Sequence, residues 1–299
     1  MDRKTIDALV ARFASTGVTG PGDERIKTVV NRLLGDLMLA IEDLDIQPGE
    51  FWSGLNFLAE AGPELGLIAA GTGLEHYLDL RMDEAEARAG LAGGTPRTIE
   101  GPLYVAGAPV AQGHARLDDG TQPGDIVVMH GVVRGSDGKP VAGALVEAWH
   151  ANHLGNYSHF DKNQAEFNLR RGIVTDAEGR YSFRTIMPVG YSVPPGGTTE
   201  RLLTALGRHG HRPAHIHFFV TAPGFRKLTT QINIESDPHL WDDFAFGTRD
   251  GLVPPIRRAE SLPAYGVDQL CHEIEFDFDL HAEVAAAPRT DFERLRAAA

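Results

Sequence analysis

The chain has 299 residues, 42% hydrophobic and 8% aromatic, enough apolar mass for one large domain or two ordinary ones with packed cores. Its 28 Lys+Arg against 41 Asp+Glu leave a formal net charge of -13, a field that repels phosphate backbones and anionic lipid heads and so excludes nucleic acid and membrane surfaces as partners. The single cysteine, Cys271, excludes an intrachain disulfide and a thiolate zinc cluster and suits a reducing cytoplasm, and no segment reads as a signal peptide or a membrane span.

From Ile26 the residues Val29, Val30, Leu33, Leu34, Leu37, Met38 and Ile41 recur at helical spacing, the stripe of an amphipathic helix. A second helix is predicted after Pro48, where Phe51, Leu55 and Leu58 repeat, and GLEHYLDLRMDEAEARAGL reads as a third. Gly93-Gly94-Thr95-Pro96 ends the helical region, and β-rich runs separated by Gly, Pro and Asp follow: DIVVMHGVVRG, ALVEAWHA, RYSFRTI, HIHFFVTA, LTTQINIES and HEIEFDFDL. The fold class is therefore α+β, with a helical region over residues 1–100 followed by an antiparallel β-sandwich over residues 101–299. The tail from His281, rich in Ala, Arg and Glu, reads as a short helix or frayed end.

Within HIHFFVT a strand alternates faces, so His215 and His217 point one way and Ile216 and Phe218 the other. Two neutral imidazoles side by side suit Zn, Cu, Fe or Ni, although most such pairs are solvated or hydrogen-bonded, and His209 and His211 repeat the spacing upstream. Carboxylates able to complete a site are Asp161, Glu166, Asp242 and Asp243. Tyr157 and Tyr191 compete with them, because both sit in turn-rich segments near strand ends, whereas Tyr181 alternates with Phe183 and reads as core. A phenol becomes a phenolate ligand only beside a strong cation, and Fe(III) is charged enough to make it one.

The segments LGLIAAGTGLEHYLDLRM, GTPRTIEGPLYVAGAP, ARLDDG, WHANHLGNYSHFD, FNLRRGIVTDAEGRY, GRHGHRPAHIHFFVTAPGFRKLTTQIN and WDDFAFGTRDGLVP together resemble the catechol 1,2-dioxygenases, the intradiol ring-cleavage family that uses non-haem Fe(III). The resemblance implies that Tyr157, Tyr191, His215 and His217 hold the iron, with Tyr157 permanent and Tyr191 leaving as substrate binds. It implies catechol and O₂ as substrates, cis,cis-muconate as product and a place in aromatic catabolism. The functional reading it implies gives Arg212 the stabilisation of negative charge on the reacting ring, a task for a cation that cannot deprotonate, and Gln231 a hydrogen bond to the reacting oxygens. The ordinary readings of these two residues are a solvated arginine and an outward-facing strand amide. Leu67, Ala70, Ile99, Gly101, Pro102, Leu103, Phe244 and Ala245 form the implied pocket wall. The resemblance also implies a homodimer through the N-terminal helices, with phospholipid at the interface.

Ser192-Val193 departs from the Gly-Cys that follows the Tyr191 equivalent in many members, which bears on substrate preference. Cys271 reads as an inert buried thiol. A hydroxyquinol or chlorocatechol 1,2-dioxygenase keeps all four ligands and changes only the pocket. A protocatechuate enzyme fits the helical N-terminus less well. A metal-free sandwich and a zinc hydrolase built on His215 and His217 are the rivals outside this chemistry.

Overall fold

The computed structural model describes residues 1–91 and 93–283, so the reading of the tail beyond His281 lies almost wholly outside the described residues. The chain packs as two compact units, Met1–Gly62 and the residues from Pro63 onward. The first is helical: α1 (Arg3–Ala14), α2 (Glu24–Asp43) and α3 (Pro48–Glu60). Asp23 starts α2 by accepting the Ile26 N–H at 2.9 Å, and Pro48 opens α3, where Glu50 accepts the Gln47 N–H at 2.8 Å. α1 lies on α2 at Gly35, the one buried residue of α2, where an added Cβ would stand 3.9 Å from Val10. The apolar stripe of α2 faces solvent instead: Ile26, Val29, Val30, Leu33, Leu34 and Leu37 are all exposed.

Division by packing falls earlier than division by secondary structure. α4 (Leu65–Gly71) and α5 (Leu74–Arg88) belong to the second unit, with the sheets. The first sheet contains β1 (Val110–Gln112), β4 (Leu145–His150), β5 (Arg170–Val174), β9 (His215–Thr221) and β10 (Leu228–Asn233), in the order β1-β5-β4-β9-β10. The second orders β11 (Ile256–Ala259), β12 (Cys271–Glu275), β3 (Ile126–Gly135), β6 (Arg180–Ile186) and β2 (His114–Arg116), with β13 (Phe278–Leu280) also on β3. A two-stranded ribbon, β7 (Tyr191–Ser192) with β8 (His211–Arg212), stands apart, and α6 (Thr198–Ala205) fills the loop between its strands.

Most pairings are antiparallel. β1 on β5, β2 on β6, and β12 and β13 on β3 run parallel. The main core lies between the inner faces of the two sheets: Val127, Met129 and Val133 of β3, Phe183 of β6, Val146 and Ala148 of β4, and Ile216, Phe218 and Val220 of β9. Tyr181 is core, its hydroxyl donating to the Phe276 carbonyl at 2.8 Å. Cys271 is buried beside Ile126, Val128 and Val267, and burial raises its thiol pKa. No helix of the described residues is long and apolar enough to cross a membrane.

Candidate metal centre

Alternation along β9 sends Ile216, Phe218 and Val220 into the sandwich core and leaves His215, His217 and Phe219 for the other face of the sheet. That face is covered by a second cluster of Tyr104, Trp149, Ala151, Tyr157 and Phe219, so both imidazoles are buried at 2% exposure. Trp149, opposite His217 in the β4–β9 register, stacks on its ring at 5.0 Å and 8°. Tyr157 enters from the loop after β4, and Tyr191 from β7, whose pairing with β8 sets Tyr191 opposite Arg212. The two loops touch at Gly155, where φ is +78° and an added Cβ would meet the Tyr191 Cβ at 2.7 Å.

The four side chains converge. Tyr157 Oη is 3.4 Å from Tyr191 Oη and 3.4 Å from His215 Nε2, and His215 Nε2 is 3.1 Å from His217 Nε2. The His215 Nδ1–H donates to the Pro213 carbonyl at 2.6 Å, which fixes the tautomer and leaves a lone pair on Nε2. Burial and the Arg212 charge hold His215 down to about 3, and burial, then His215 and Arg212, hold His217 well below its usual value. Burial pushes the Tyr157 phenol well up. Neither the Tyr157 phenolate nor either imidazolium is favoured by the protein alone, and among the described residues His217 Nδ1 has no hydrogen-bond partner. Two phenol oxygens and two neutral imidazoles crowded around one point fit a hard, highly charged cation, which stabilises the phenolates and accepts the facing lone pairs.

Arg212, 5% exposed, donates from Nη1 to His215 Nε2 at 3.1 Å, a bond that gives way when that lone pair binds a cation. Its Nε and Nη2 bond the Asp243 carboxylate at 3.1 and 3.0 Å, and Nη2 also donates to Gln231 Oε1 at 2.9 Å. Burial opposes the Arg212 cation, but Asp243 outweighs it and the guanidinium pKa is raised. Asp243 in turn accepts the Ala245 and Gly247 N–H groups at 3.0 Å each. Gly247 is required there, because an added Cβ would lie 2.9 Å from Asp243 Oδ2 and 3.0 Å from Gln231 Nε2.

A family model described as "Dioxygenase" matches residues 99–282, and one described as "Catechol dioxygenase N terminus" matches residues 23–90. Catechol 1,2-dioxygenase 2 of Acinetobacter lwoffii is 69% identical over 262 residues, 87% of this chain and 95% of that protein. The crystal structure of wild-type Acinetobacter radioresistens catechol 1,2-dioxygenase superposes with a TM-score of 0.96 at 57% identity, covering 100% of this chain and 99% of that one. The chain belongs to the catechol 1,2-dioxygenase family. Relatives named hydroxyquinol 1,2-dioxygenase (Rhizobium sp.) and chlorocatechol 1,2-dioxygenase (Pseudomonas putida) are 32% and 33% identical over 87% and 78% of the chain.

Set against that family, the remaining sequence-predicted residues divide. Ala70, Ile99, Phe244 and Ala245 form one buried cluster with Val193 and Leu203, so the Val193 that departs from the common pattern packs with four of the residues expected to line the pocket. An added Cβ at Gly101 would lie 3.8 Å from the His217 ring, and Leu103 packs against the Tyr157 cluster. Leu67 is half-buried and Pro102 exposed, and neither joins the buried cluster.

The carboxylates kept open by sequence reading are elsewhere engaged. Asp161 organises its own loop through Asn163 and Gln164, Glu166 is exposed, Asp242 pairs with His209 at 2.9 Å, and Asp243 binds Arg212. Sequence reading of this dioxygenase missed Trp149 and Arg170, whose guanidinium lies 5.7 Å over the Tyr157 ring and donates to Ser158 Oγ at 2.9 Å. It also missed Asp243 as the anchor of Arg212. The only available signal for that was an acid beside the FAFG turn, indistinguishable from its neighbour Asp242.

Proposed function

We propose that this chain cleaves catechol between its two hydroxylated carbons, adding both atoms of O₂ to give cis,cis-muconate, at one ferric ion held by Tyr157, Tyr191, His215 and His217. The observation that carries this reading is the meeting of two phenol oxygens and two imidazole nitrogens, 3.1 to 3.4 Å apart, in a buried place that keeps both imidazoles unprotonated. When bound, a ferric ion would supply a Lewis acid that favours the phenolate forms of Tyr157 and Tyr191 and activates the substrate ring toward O₂.

The side chains do the rest. Tyr191 is half-buried on a two-residue strand, and as a phenolate it is the side chain placed to take one catechol proton at its Oη and turn away as a neutral phenol. Tyr157, 4% exposed and under Arg170, stays in position. The Arg212 guanidinium keeps its charge at any working pH and stabilises negative charge spreading over the ring and onto the adding oxygens. Asp243 and Gln231 fix that guanidinium beside His215. Ala70, Ile99, Phe244 and Ala245, with Leu67, Gly101, Pro102 and Leu103, are the wall we assign to the ring, and its small apolar lining suits an unsubstituted catechol and keeps water away.

An oxygen electrode with catechol, 4-methylcatechol, hydroxyquinol and chlorocatechols, read beside elemental iron and the visible spectrum, tests this. Expected are one iron per chain, a broad phenolate-to-iron absorption and fastest oxygen uptake with catechol. A colourless protein replete with iron overturns tyrosinate ligation, and faster turnover of hydroxyquinol or a chlorocatechol moves the substrate assignment. The gap between 69% and 32–33% identity supports catechol over those alternatives.

We assign the exposed α2 stripe, with Trp52, Leu55 and Leu58 of α3, to a homodimer interface that also takes a phospholipid chain, in a cytoplasmic protein. Sedimentation equilibrium reading a monomer overturns the dimer, and solvent extraction without phospholipid overturns the lipid.

A further inference from the structure

Among the described residues, one group of side chains able to ligate a metal lies outside the four-donor centre. His209 precedes β8, His211 begins it, and His239 and Asp242 lie in the turn after β10. Backbone bonds hold the two segments together. The Phe244 N–H donates to the His211 carbonyl at 3.1 Å, and the Asp237 carboxylate accepts the His239 and Ala214 N–H groups at 2.9 Å each. None of these bonds uses an imidazole, so the fold itself gathers the rings.

The ring centroids of His209, His211 and His239 lie 4.7 to 5.3 Å apart. His209 Nε2 is 2.9 Å from Asp242 Oδ2, and one ligand atom from each of His209, His239 and Asp242 lies within 4.8 Å of the others. Small rotamer changes bring such atoms to the ligand spacing of a first-row ion. A cavity of about 150 Å³ lined by Ser192, Glu200, Arg208, His209 and His211 opens beside the His209 member of the cluster, with space for water.

We propose that His209, His239 and Asp242 form a second metal site, separate from the four-donor centre, that takes a divalent first-row ion of the zinc or copper type. Two imidazoles and one carboxylate suit such an ion, whereas Ca²⁺ and Mg²⁺ take shells of oxygen. The ion replaces the proton between His209 Nε2 and Asp242. That proton moves to Nδ1, and the bond His209 Nδ1 now accepts from the His211 N–H, 3.1 Å long, is given up. This cost and the exposure of Asp242 place its affinity below that of the buried centre.

Equilibrium dialysis of the iron-loaded full chain against Zn²⁺ alone, with iron and zinc counted separately, tests the site. The variants are His209→Ala/His239→Ala, the gentler His209→Gln/His239→Gln, Asp242→Asn and the distant control His114→Ala. One zinc per chain is expected above the iron. Both double variants should lose binding by more than the roughly 10–100-fold that removal of a ligand-orienting group costs, Asp242→Asn should weaken it less, and the control not at all. Equal zinc uptake by either double variant overturns the proposal, as does zinc gained only as iron is lost. Because the two metals are counted apart, failure of this site and failure of the ferric reading give different results.

Discussion

The residues up to Gly62 turn apolar side chains outward, while the sheets turn polar ones inward. Ile26 and Leu33 of α2 are 61% and 62% exposed, whereas His215, His217, Arg212, Gln231 and Asn233 are all buried. Each arrangement runs against the ordinary hydrophobic pattern, and each is costly for a lone chain. Their lessons differ. Exposed apolar surface is a demand for a partner surface, and buried polar groups that are not satisfied by one another are a demand for a charge at their centre. α5 stands between the two cases: Leu74, Tyr77, Leu78 and Leu80 are exposed while Glu75, Asp79 and Glu86 are buried, with Arg97 donating to Asp83 at 2.6 Å and also pairing with Glu86.

If the buried polar centre exists to hold a cation, Tyr157→Phe should remove most of the visible absorption and most of the bound iron. An unchanged spectrum would take Tyr157 out of the ligand set. Arg212→Ala should keep the iron and lose turnover by about 10²–10³, the scale for one preorganised charge stabiliser, read as kcat at fixed iron content. Near wild-type turnover would make the Arg212, Asp243 and Gln231 network purely structural.

The acids on α5 sharpen the same contrast through stability. Burial, then the neighbouring Glu75, raises Asp79 to about 7 from 3.8. The folded state therefore binds the Asp79 proton more tightly than the unfolded chain, so its stabilising contribution is complete below pH 3.8 and is lost as pH rises through about 7. Asp79→Asn should remove this loss. Urea midpoints at pH 5 and pH 8 should show the variant gaining on the parent at the higher pH, and a pH-independent difference would discount the buried acid. The smallest effect on the folded chain belongs to the outward stripe. Leu33→Glu should leave the packing within the chain intact, because the side chain is 62% exposed there, while shifting sedimentation from dimer to monomer and lowering the urea midpoint only by what the dimer contributed. A stable dimer after that change would place the interface elsewhere.

Much of this was legible in the chain. Helices α2, α3 and α5 and strands β3, β4, β6, β9, β10 and β12 appear where the periodicity predicts them. The strands β1, β2, β7 and β8, of two or three residues, are too short to carry a period, and α6 lies in a loop with no long apolar repeat. The parallel pairing of β12 with β3 was equally hidden, since alternation along a strand does not specify which neighbour it meets or in which direction. Among the site residues, His215 and His217 are paired by strand alternation alone. Tyr157 and Tyr191 stood level with four carboxylates until the family resemblance was applied.

The physical reason is the range of the forces involved. Strand alternation and helical periodicity are imposed by local backbone geometry, so the sequence by itself determined that two imidazoles share a face and that α2 carries one apolar stripe. The tertiary structure alone decided that the stripe faces outward, that the Tyr157 and Tyr191 loops meet at Gly155, and that Asp243 holds Arg212 while Asp242 turns to His209. Those outcomes depend on contacts between segments far apart in the chain, where one glycine without a Cβ, or one carboxylate rather than its neighbour, decides which groups meet.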